Sequence, residues 1–188
     1  MFDHDLFDNS QFDYETMAAE ERPFARRLMT WIAAWGQPPL VDLGAGTGVY
    51  VEAARGHGWQ AQGYDITLQQ TRPDLVERQS LLDVTDPGRT VLCIEVAEHL
   101  PESAAWGVID SVWRNCLPGG LVIWSAAQPG QAGVGHVNCQ PPGYWRERAI
   151  IKGFIEREDL ERDLHRWITS GYHMGWFAQN RQVWQRPL

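Results

Sequence analysis

A glycine-rich loop at residues 40–48 constrains the fold of this chain more than any other segment. The sequence there is Leu-Val-Asp-Leu-Gly-Ala-Gly-Thr-Gly, a short apolar run that breaks into glycines at alternate positions. Glycines permit a tight turn and let a ligand lie against bare backbone, while the first N–H groups of a following helix point toward that ligand. The segment therefore predicts a strand-loop-helix unit that binds a cofactor, with the helix over residues 47–57.

A carboxylate follows this loop at the spacing that nucleoside binding requires. Residues 58–65 form a second predicted strand that ends in Asp65. In nucleoside-binding α/β units an acid about 20 residues beyond the glycines accepts hydrogen bonds from the ribose hydroxyls. We therefore predict that Asp65 binds a ribose.

Together with three later segments, the loop resembles the class I S-adenosylmethionine-dependent methyltransferases. Residues 42–48 match the family pattern D-x-G-x-G-x-G in full. Residues 80–84 are similar to the third strand and its acid, residues 95–100 to the E-V-x-E-H-[LIV] signature, and residues 117–125 to the L-x-P-G-G turn that introduces strand five. The resemblance covers residues 38–128 and extends more loosely over the remainder.

This resemblance implies an α/β fold with a Rossmann-like, seven-stranded, mostly parallel sheet flanked by helices and a C-terminal antiparallel hairpin. We expect one domain over residues 1–188, made of an N-terminal arm and cap helix (1–35), a cofactor-binding core (38–128) and a substrate loop with helices and the terminal hairpin (129–188). Apolar spacing and turn residues predict further elements. They are helices over 14–35, 67–78, 101–116 and 158–170, and hairpin strands over 172–177 and 181–184.

The resemblance also implies a site for S-adenosylmethionine. The glycines would provide a backbone bed, Asp42 would orient the methionine portion and Asp83 would contact the adenine. Glu95 and Val96 would line the sulfonium side. The implied cofactor-binding residues are Asp42, Gly44, Ala45, Gly46, Gly48, Asp65, Ile66, Asp83, Val84, Glu95 and Val96.

A polar, glycine-rich loop at residues 125–138 is the predicted acceptor side. Methyl transfer to a hydroxyl or ammonium group requires alignment, exclusion of water and removal of a proton. His136 and His99 are the candidate catalytic residues, because an imidazole titrates near neutral pH. The alternative for His136 is a loop histidine that only bonds to backbone. Gln131, Asn138 and Tyr144 are the candidate substrate-binding residues, and Asn138 could instead cap the next helix.

A metal-dependent alternative comes from the same signature. With His136, the spacing of Glu95, Glu98 and His99 resembles the divalent-metal ligands of methyltransferases that modify the 2′-hydroxyl at RNA 3′ ends. Two carboxylates and two imidazoles could hold Mg²⁺ or Mn²⁺. The primary prediction is a metal-free methyltransferase acting on an O or N atom of a small molecule.

Composition limits the classes of molecule that we expect the protein to bind. A formal charge of −8 argues against broad binding to phosphate backbones, so we expect a small-molecule acceptor rather than nucleic acid. No apolar run approaches the ~20 residues that span a bilayer, and the N-terminus has no basic segment, which favours a cytoplasmic protein without membrane contact. The three unclustered cysteines argue against a disulfide framework. Two further alternatives remain: a domain that binds S-adenosylmethionine without catalysis, and a dehydrogenase, which the glycine spacing disfavours.

Overall fold

A seven-stranded sheet organises the chain. The computed structural model describes residues 14–66, 72–171 and 174–188. The strands lie in the order β3-β2-β1-β4-β5-β7-β6. Their bounds are β1 Leu40–Leu43, β2 Ala61–Asp65, β3 Val76–Arg78, β4 Gly88–Ile94, β5 Cys116–Ser125, β6 Ile155–Glu156 and β7 Gln182–Gln185. Strands β1 to β5 pair in parallel, whereas β7 is antiparallel to both β5 and β6. The predicted α/β fold with an antiparallel C-terminal end is confirmed.

Helices pack against both faces of the sheet. Their bounds are α1 Tyr14–Trp35, α2 Val49–Gly56, α3 Ala105–Asn115, α4 Pro142–Lys152, α5 Glu158–Thr169 and α6 Gly175–Asn180. The helix predicted over residues 14–35 has the observed bounds, and those predicted at 47–57, 101–116 and 158–170 correspond to α2, α3 and α5. Within the described ranges, no helix combines the length and apolar character needed to cross a membrane.

Side chains along the central strands point alternately to the two faces of the sheet, and this divides the interior into two hydrophobic cores. Leu92 and Ile94 of β4 pack in one core with α1, α2, α5 and α6. Val91 and Cys93 of the same strand pack in the other core with α3 and α4. Successive side chains of a strand point to opposite faces, so a strand covered on both sides is apolar throughout. This burial fixes the register of the parallel strands and hence the alignment of their carboxyl ends.

The third strand is displaced from its predicted position. Residues 80–84 are not a strand, and Val76–Arg78 is a strand rather than part of the helix predicted over 67–78; residues 67–71 lie outside the described part of the chain. The Arg114 side chain donates hydrogen bonds to the carbonyl oxygens of Leu82 and Val84, at 2.7 and 2.9 Å. A helix side chain therefore satisfies backbone groups that a neighbouring strand would otherwise pair.

The antiparallel end also uses a different partner strand. Ile155–Glu156 pairs with Gln182–Gln185, and the segment predicted as the first hairpin strand overlaps the start of helix α6, Gly175–Asn180. Residues 172 and 173 of that prediction lie outside the described ranges, as does the N-terminal arm of residues 1–13. Phe177 of α6 packs edge-on against Phe24 of α1, with ring centroids 5.1 Å apart. Packing against α1 thus accounts for the helical position of these aromatic residues.

Candidate cofactor and acceptor site

The carboxyl ends of β1, β2, β4 and β5 face one cavity of about 700 Å³. Strand β1 lies between β2 and β4, because the chain runs from β1 to β2 and β3 on one side and then returns to β4 on the other side of β1. Ligands of open α/β sheets bind at such a switch point, outside the carboxyl ends of the strands. The volume lies within the ~300–1,000 Å³ typical of small-molecule sites.

The glycine loop forms the floor of this cavity. Gly44, Gly46 and Gly48 adopt φ values of 82°, 47° and 75°, a backbone region that favours glycine. A Cβ at Gly44 would lie 2.4 Å from a methyl carbon of Val96, whereas a Cβ at Gly46 would meet no atom of the described residues within 4 Å. Gly44 therefore allows close packing under the loop, and Gly46 presents bare backbone to the cavity.

Asp65 holds the glycine loop to the end of β2. Its Oδ2 accepts a hydrogen bond from the Gly46 N–H at 2.8 Å, and both residues line the cavity. The glycine loop and the acid, which are separated in the sequence, are thus in direct contact. Asp65 can orient the loop and present carboxylate oxygen to a ligand hydroxyl at the same time.

Asp42 is a buried carboxyl group beneath the loop. Only 2% of the residue is exposed, and its Oδ2 has no hydrogen-bond partner among the described residues. Burial, followed by the charges of Asp65 and Glu21, raises the pKa of Asp42 to about 7. A cation or hydrogen-bond donor in the cavity would favour the ionised form of this group.

Glu95 follows β4 in a strained conformation. With a φ of 53°, it is the non-glycine residue with positive φ among those that the structure describes. Its N–H donates to the carbonyl oxygen of Ser125 at 3.0 Å, and its carboxylate accepts from Asn180 Nδ2 at 3.1 Å. Such conformations persist where surrounding contacts impose them, and they concentrate at functional sites. These contacts fix a carboxylate at the cavity wall.

Glu98 forms hydrogen bonds with both ends of the loop over residues 125–138, which we call the acceptor loop. Its carbonyl oxygen accepts from the N–H groups of Val137 and Asn138, both at 2.9 Å, and its Oε1 accepts from the Ala127 N–H at 3.1 Å. The residue is fully buried. Burial and then the charge of Glu95 raise the pKa of Glu98 to about 9. At neutral pH Glu98 is therefore an uncharged group that closes the loop.

His99 and His136 meet at the acceptor side of the cavity. Their ring centroids lie 4.9 Å apart, with the rings nearly perpendicular. His99 Nδ1 lies 3.3 Å from the Gly135 carbonyl oxygen, and His136 Nδ1 lies 3.3 Å from the Gln131 carbonyl oxygen. A carbonyl oxygen only accepts, so these contacts place the proton on Nδ1 and make Nε2 the basic nitrogen of each ring. Burial and the charge of His136 lower the pKa of His99 to about 4, which keeps His99 neutral at pH 7.

Part of the alternative metal-ligand set converges here. Glu98, His99 and His136 offer ligand atoms that all lie within 4.8 Å of one another. Glu95 is outside this group and accepts its hydrogen bond from Asn180. The donors present would suit a divalent ion bound by imidazole and carboxylate, once Glu98 is ionised.

The cavity brings together most, but not all, of the residues predicted from sequence. Those that line it are Asp42, Gly44, Ala45, Gly46, Asp65, Ile66, Glu95, Val96, His99, Gln131 and His136. Gly48 packs beneath the loop instead, where an added Cβ would lie 2.9 Å from a methyl carbon of Val76.

Besides Gly48, four predicted residues lie away from the cavity lining. Asp83 is exposed, and the neighbouring Leu82 lines the cavity in its place. Val84 is buried in the core beside α3. Asn138 is 4% exposed, and its Oδ1 accepts from Gln140 Nε2 at 2.9 Å. Tyr144 lies on α4 beneath the Arg148 guanidinium group, which is 3.3 Å from the ring centroid.

Tertiary packing adds cavity residues that the sequence prediction missed. They include Met17 and Glu21 from α1, Tyr50 from α2, Leu81 and Leu82 after β3, and Trp176 from α6. For Glu21 a sequence signal existed, because its spacing from Met17, Phe24 and Leu28 places a carboxyl group on the apolar face of α1. Trp176 had no such signal, since its contact with Phe24, at 6.3 Å between centroids, joins distant parts of the chain.

Comparison with known proteins points to one family. A family model described as a methyltransferase domain matches residues 17–168. A curated ubiquinone biosynthesis O-methyltransferase from Thiobacillus denitrificans is 29% identical over 121 residues, covering 56% of this chain and 51% of the relative. The chain thus spans about half the length of that relative.

Solved structures share the fold at low sequence identity. An S-adenosylmethionine-dependent methyltransferase from Archaeoglobus fulgidus superposes with a TM-score of 0.65 at 13% identity, covering 97% of this chain and 99% of the other. The 1,6-didemethyltoxoflavin-N1-methyltransferase of Burkholderia thailandensis, solved with bound 1,6-didemethyltoxoflavin and S-adenosylhomocysteine, superposes with a TM-score of 0.64 at 14% identity, covering 94% of this chain and 82% of the other. At these identities the likeness concerns the fold.

Proposed function

Because the chain belongs to the methyltransferase-domain family, we propose that it transfers a methyl group from S-adenosylmethionine to an O or N atom of a small molecule. The observation that carries the proposal is the glycine loop held to Asp65 at the switch point of the sheet, directly below the cavity. A cytoplasmic location and a single domain over residues 1–188 stay predictions.

The residues present fit the cofactor. Gly46 leaves space in the cavity that a Cβ would occupy. Asp42 has a buried carboxylate oxygen without a hydrogen-bond partner among the described residues. Asp65 and Leu82 line the cavity, where Asp65 would accept hydrogen bonds from the ribose and Leu82 would supply an apolar contact for the adenine in place of Asp83. S-adenosylmethionine supplies an electrophilic methyl carbon on a sulfonium sulfur.

The acceptor side performs positioning and proton transfer. Methyl transfer would form a bond between the acceptor atom and the methyl carbon as the carbon–sulfur bond breaks, and a base would take the proton of a hydroxyl or ammonium acceptor. His136 Nε2 is the base in this proposal, and the neutral His99 accepts a hydrogen bond from the acceptor. The loop between Ala127 and Asn138, closed by Glu98, excludes water from the methyl group.

Calorimetry tests the cofactor site directly. Titration of the purified protein with S-adenosylmethionine and S-adenosylhomocysteine should show binding in the presence of EDTA. Asp65→Ala should weaken this binding by about 10- to 100-fold, because a hydrogen bond to a charged group contributes ~1.5–3 kcal/mol. Asp110→Ala, which alters an exposed carboxylate on α3, is the matched control. Absence of binding to the wild-type protein would refute the proposal.

A screen of hydroxyl and amine acceptors with methyl-labelled cofactor then tests turnover. Label transfer to an acceptor that depends on His136 supports the enzyme. Tight cofactor binding without transfer to any acceptor of either class would favour a domain that binds the cofactor without catalysis.

A metal-dependent RNA 2′-O-methyltransferase is the second candidate, and the convergence of Glu98, His99 and His136 is the observation that favours it. Mn²⁺ titration in the presence of S-adenosylhomocysteine, followed by assay on short RNA with a free 3′ end, distinguishes the two. Metal-dependent methylation of RNA would replace the small-molecule proposal. Unchanged cofactor binding in EDTA, together with no methylation of RNA, would remove the metal candidate.

A further inference from the structure

Apolar side chains line the acceptor side of the cavity. Leu100 and Pro101 follow His99 directly, and Ala132 and Val134 belong to the acceptor loop; all five residues line the cavity. Apart from the imidazole of His99, these side chains carry neither charge nor hydrogen-bonding groups. An acceptor bound here therefore contacts mainly hydrocarbon, and burial of its own apolar surface would favour binding.

Trp176 of α6 adds an aromatic wall on this side. The Gln128 Nε2 donates to the carbonyl oxygen of Gln179 at 3.0 Å, and the Gln131 Nε2 donates to Gln179 Oε1 at 3.3 Å, so α6 is joined to the acceptor loop. The indole ring also packs edge-on against Phe24 of α1, with centroids 6.3 Å apart. These contacts fix an aromatic ring at the cavity wall, where a second aromatic ring is a favourable partner.

The charges of the cavity are unfavourable for an anion. The chain has 16 lysine and arginine residues, all within the ranges that the structure describes, and none of these described residues lines the cavity. Carboxyl groups line it instead, from Glu21, Asp42, Asp65 and Glu95. A carboxylate or phosphate on the acceptor would lose hydration without gaining a lysine or arginine partner, and it would face groups of like charge. The lining therefore disfavours an acceptor with an anionic group.

The proposed base is an imidazole, which limits the acidity that the acceptor hydroxyl needs. A phenol has an ordinary pKa of about 10, whereas an aliphatic alcohol is a much weaker acid, so an imidazole removes the phenolic proton far more readily. Gly133 leaves room beside this base, because a Cβ at Gly133 would collide with His136 Nε2. A flat ring that carries a hydroxyl group fits beside the basic nitrogen.

We infer that the acceptor is a phenol without a carboxylate or phosphate group, its ring lying among Trp176, Leu100 and Val134 and its hydroxyl group at His136. This inference rests on the proposed function and narrows the acceptor from an O or N atom to a phenolic oxygen. The oxygen forms a bond to the methyl carbon, the carbon–sulfur bond breaks, and the proton passes to His136 Nε2. The products are an aryl methyl ether and S-adenosylhomocysteine.

Matched acceptors test the inference by calorimetry on the complex with S-adenosylhomocysteine. The set is 2-naphthol, 6-hydroxy-2-naphthamide and 6-hydroxy-2-naphthoate, with phenol, 4-hydroxybenzamide and 4-hydroxybenzoate as the one-ring equivalents. A carboxamide and a carboxylate have nearly the same shape and differ in charge. The carboxamide should bind about tenfold or more tightly than the carboxylate.

Transfer of a labelled methyl group tests the hydroxyl class. The label should appear on the phenolic oxygen of 2-naphthol. It should appear at least about tenfold more slowly on 2-naphthylmethanol, whose hydroxyl is aliphatic, and on 2-naphthylmethylamine.

A lysine placed in the lining should alter the selectivity. Val134 and Val137 are both exposed residues of the acceptor loop, at 42% and 68%, and of the two it is Val134 that lines the cavity. Val134→Lys should reduce the preference for carboxamide over carboxylate by about tenfold, because the new ammonium group can pair with the carboxylate. Val137→Lys is the matched control and should keep the wild-type preference.

The pattern of results separates the inference from the proposed function. A wild-type complex that binds carboxylate as tightly as carboxamide would overturn the inference, and so would faster transfer to the aliphatic alcohol or the amine. Equal preferences in the two lysine variants would show that charge does not set the selectivity, with the same consequence. A protein that binds S-adenosylhomocysteine but none of these phenols at millimolar concentration would overturn it as well. Failure of the wild-type protein to bind S-adenosylhomocysteine would instead refute the proposed function.

Discussion

Replacing Glu98 with Gln should make the protein more stable at neutral pH and less sensitive to pH. The carboxyl group is fully buried, and its pKa is raised from an ordinary value of 4.5 to about 9 by burial and by the charge of Glu95. A raised folded-state pKa means that the contribution to stability is fully present below pH 4.5 and is lost as the pH rises toward 9. Gln is neutral throughout, and its amide oxygen can still accept the hydrogen bond from Ala127.

The size of the effect follows from proton linkage. Between pH 6 and 8 the unfolded chain carries Glu98 ionised and the folded chain keeps it protonated, which changes the free energy of unfolding by up to about 1.4 kcal/mol per pH unit. The variant should therefore gain about 2–3 kcal/mol over the wild type across this interval. Glu21 and Asp42 titrate in both proteins, so their contributions largely cancel in the difference.

Urea unfolding at pH 6, 7 and 8, in EDTA and without cofactor, measures this difference. Glu102→Gln, at an exposed position four residues along the chain, is the control and should show no such trend. If the difference in the free energy of unfolding between Glu98→Gln and the wild type does not change with pH, Glu98 is not the neutral group that closes the loop. That result would favour an ionised carboxylate, the form that a metal ligand requires.

Four substitutions test other parts of the site. Asp65→Ala should lower cofactor affinity much more than His136→Ala, whereas His136→Ala should impair turnover; equal calorimetric affinities, or undiminished methyl transfer by the histidine variant, would contradict these roles. Gly44→Ala should lower the free energy of unfolding by at least about 1–3 kcal/mol and weaken cofactor binding, because φ is 82° and the added carbon would lie 2.4 Å from a valine methyl group; unchanged urea unfolding and affinity would argue against a tight loop. Asn180→Ala should lower the free energy of unfolding by about 1–3 kcal/mol and reduce cofactor affinity, since it leaves the strained Glu95 carboxylate without its donor at 3.1 Å; a variant with wild-type unfolding and calorimetry would show that this contact does not position Glu95.

Local chemistry made several features predictable. Gly44, Gly46 and Gly48 require unusual backbone angles that few other residues tolerate, so their spacing indicates the loop before any tertiary contact is known. The apolar spacing of α1 predicted its bounds, because one buried face repeats about every 3.6 residues. The interval to Asp65 indicated a carboxylate at the neighbouring strand end, where its contact with Gly46 is found.

Short elements were harder to predict. Ile155–Glu156 is a strand of only two residues, and its pairing with β7 depends on a segment far along the chain. Residues 80–84 have the composition of a strand, but Arg114 of α3 satisfies two of their carbonyl oxygens and leaves them in a turn. The same displacement puts Leu82 at the cavity and leaves Asp83 exposed.

The sequence by itself determined the fold class and the glycine-loop side of the cavity, because glycine spacing and apolar periodicity act over a few residues. Only the tertiary structure decided which side chains close the other walls. Glu21, Tyr50 and Trp176 reach the cavity through the packing of α1, α2 and α6, and Glu98 closes the acceptor loop instead of joining Glu95 in a ligand set. The physical reason is that these contacts join residues distant in sequence, and their geometry is set by the two cores on the faces of the sheet.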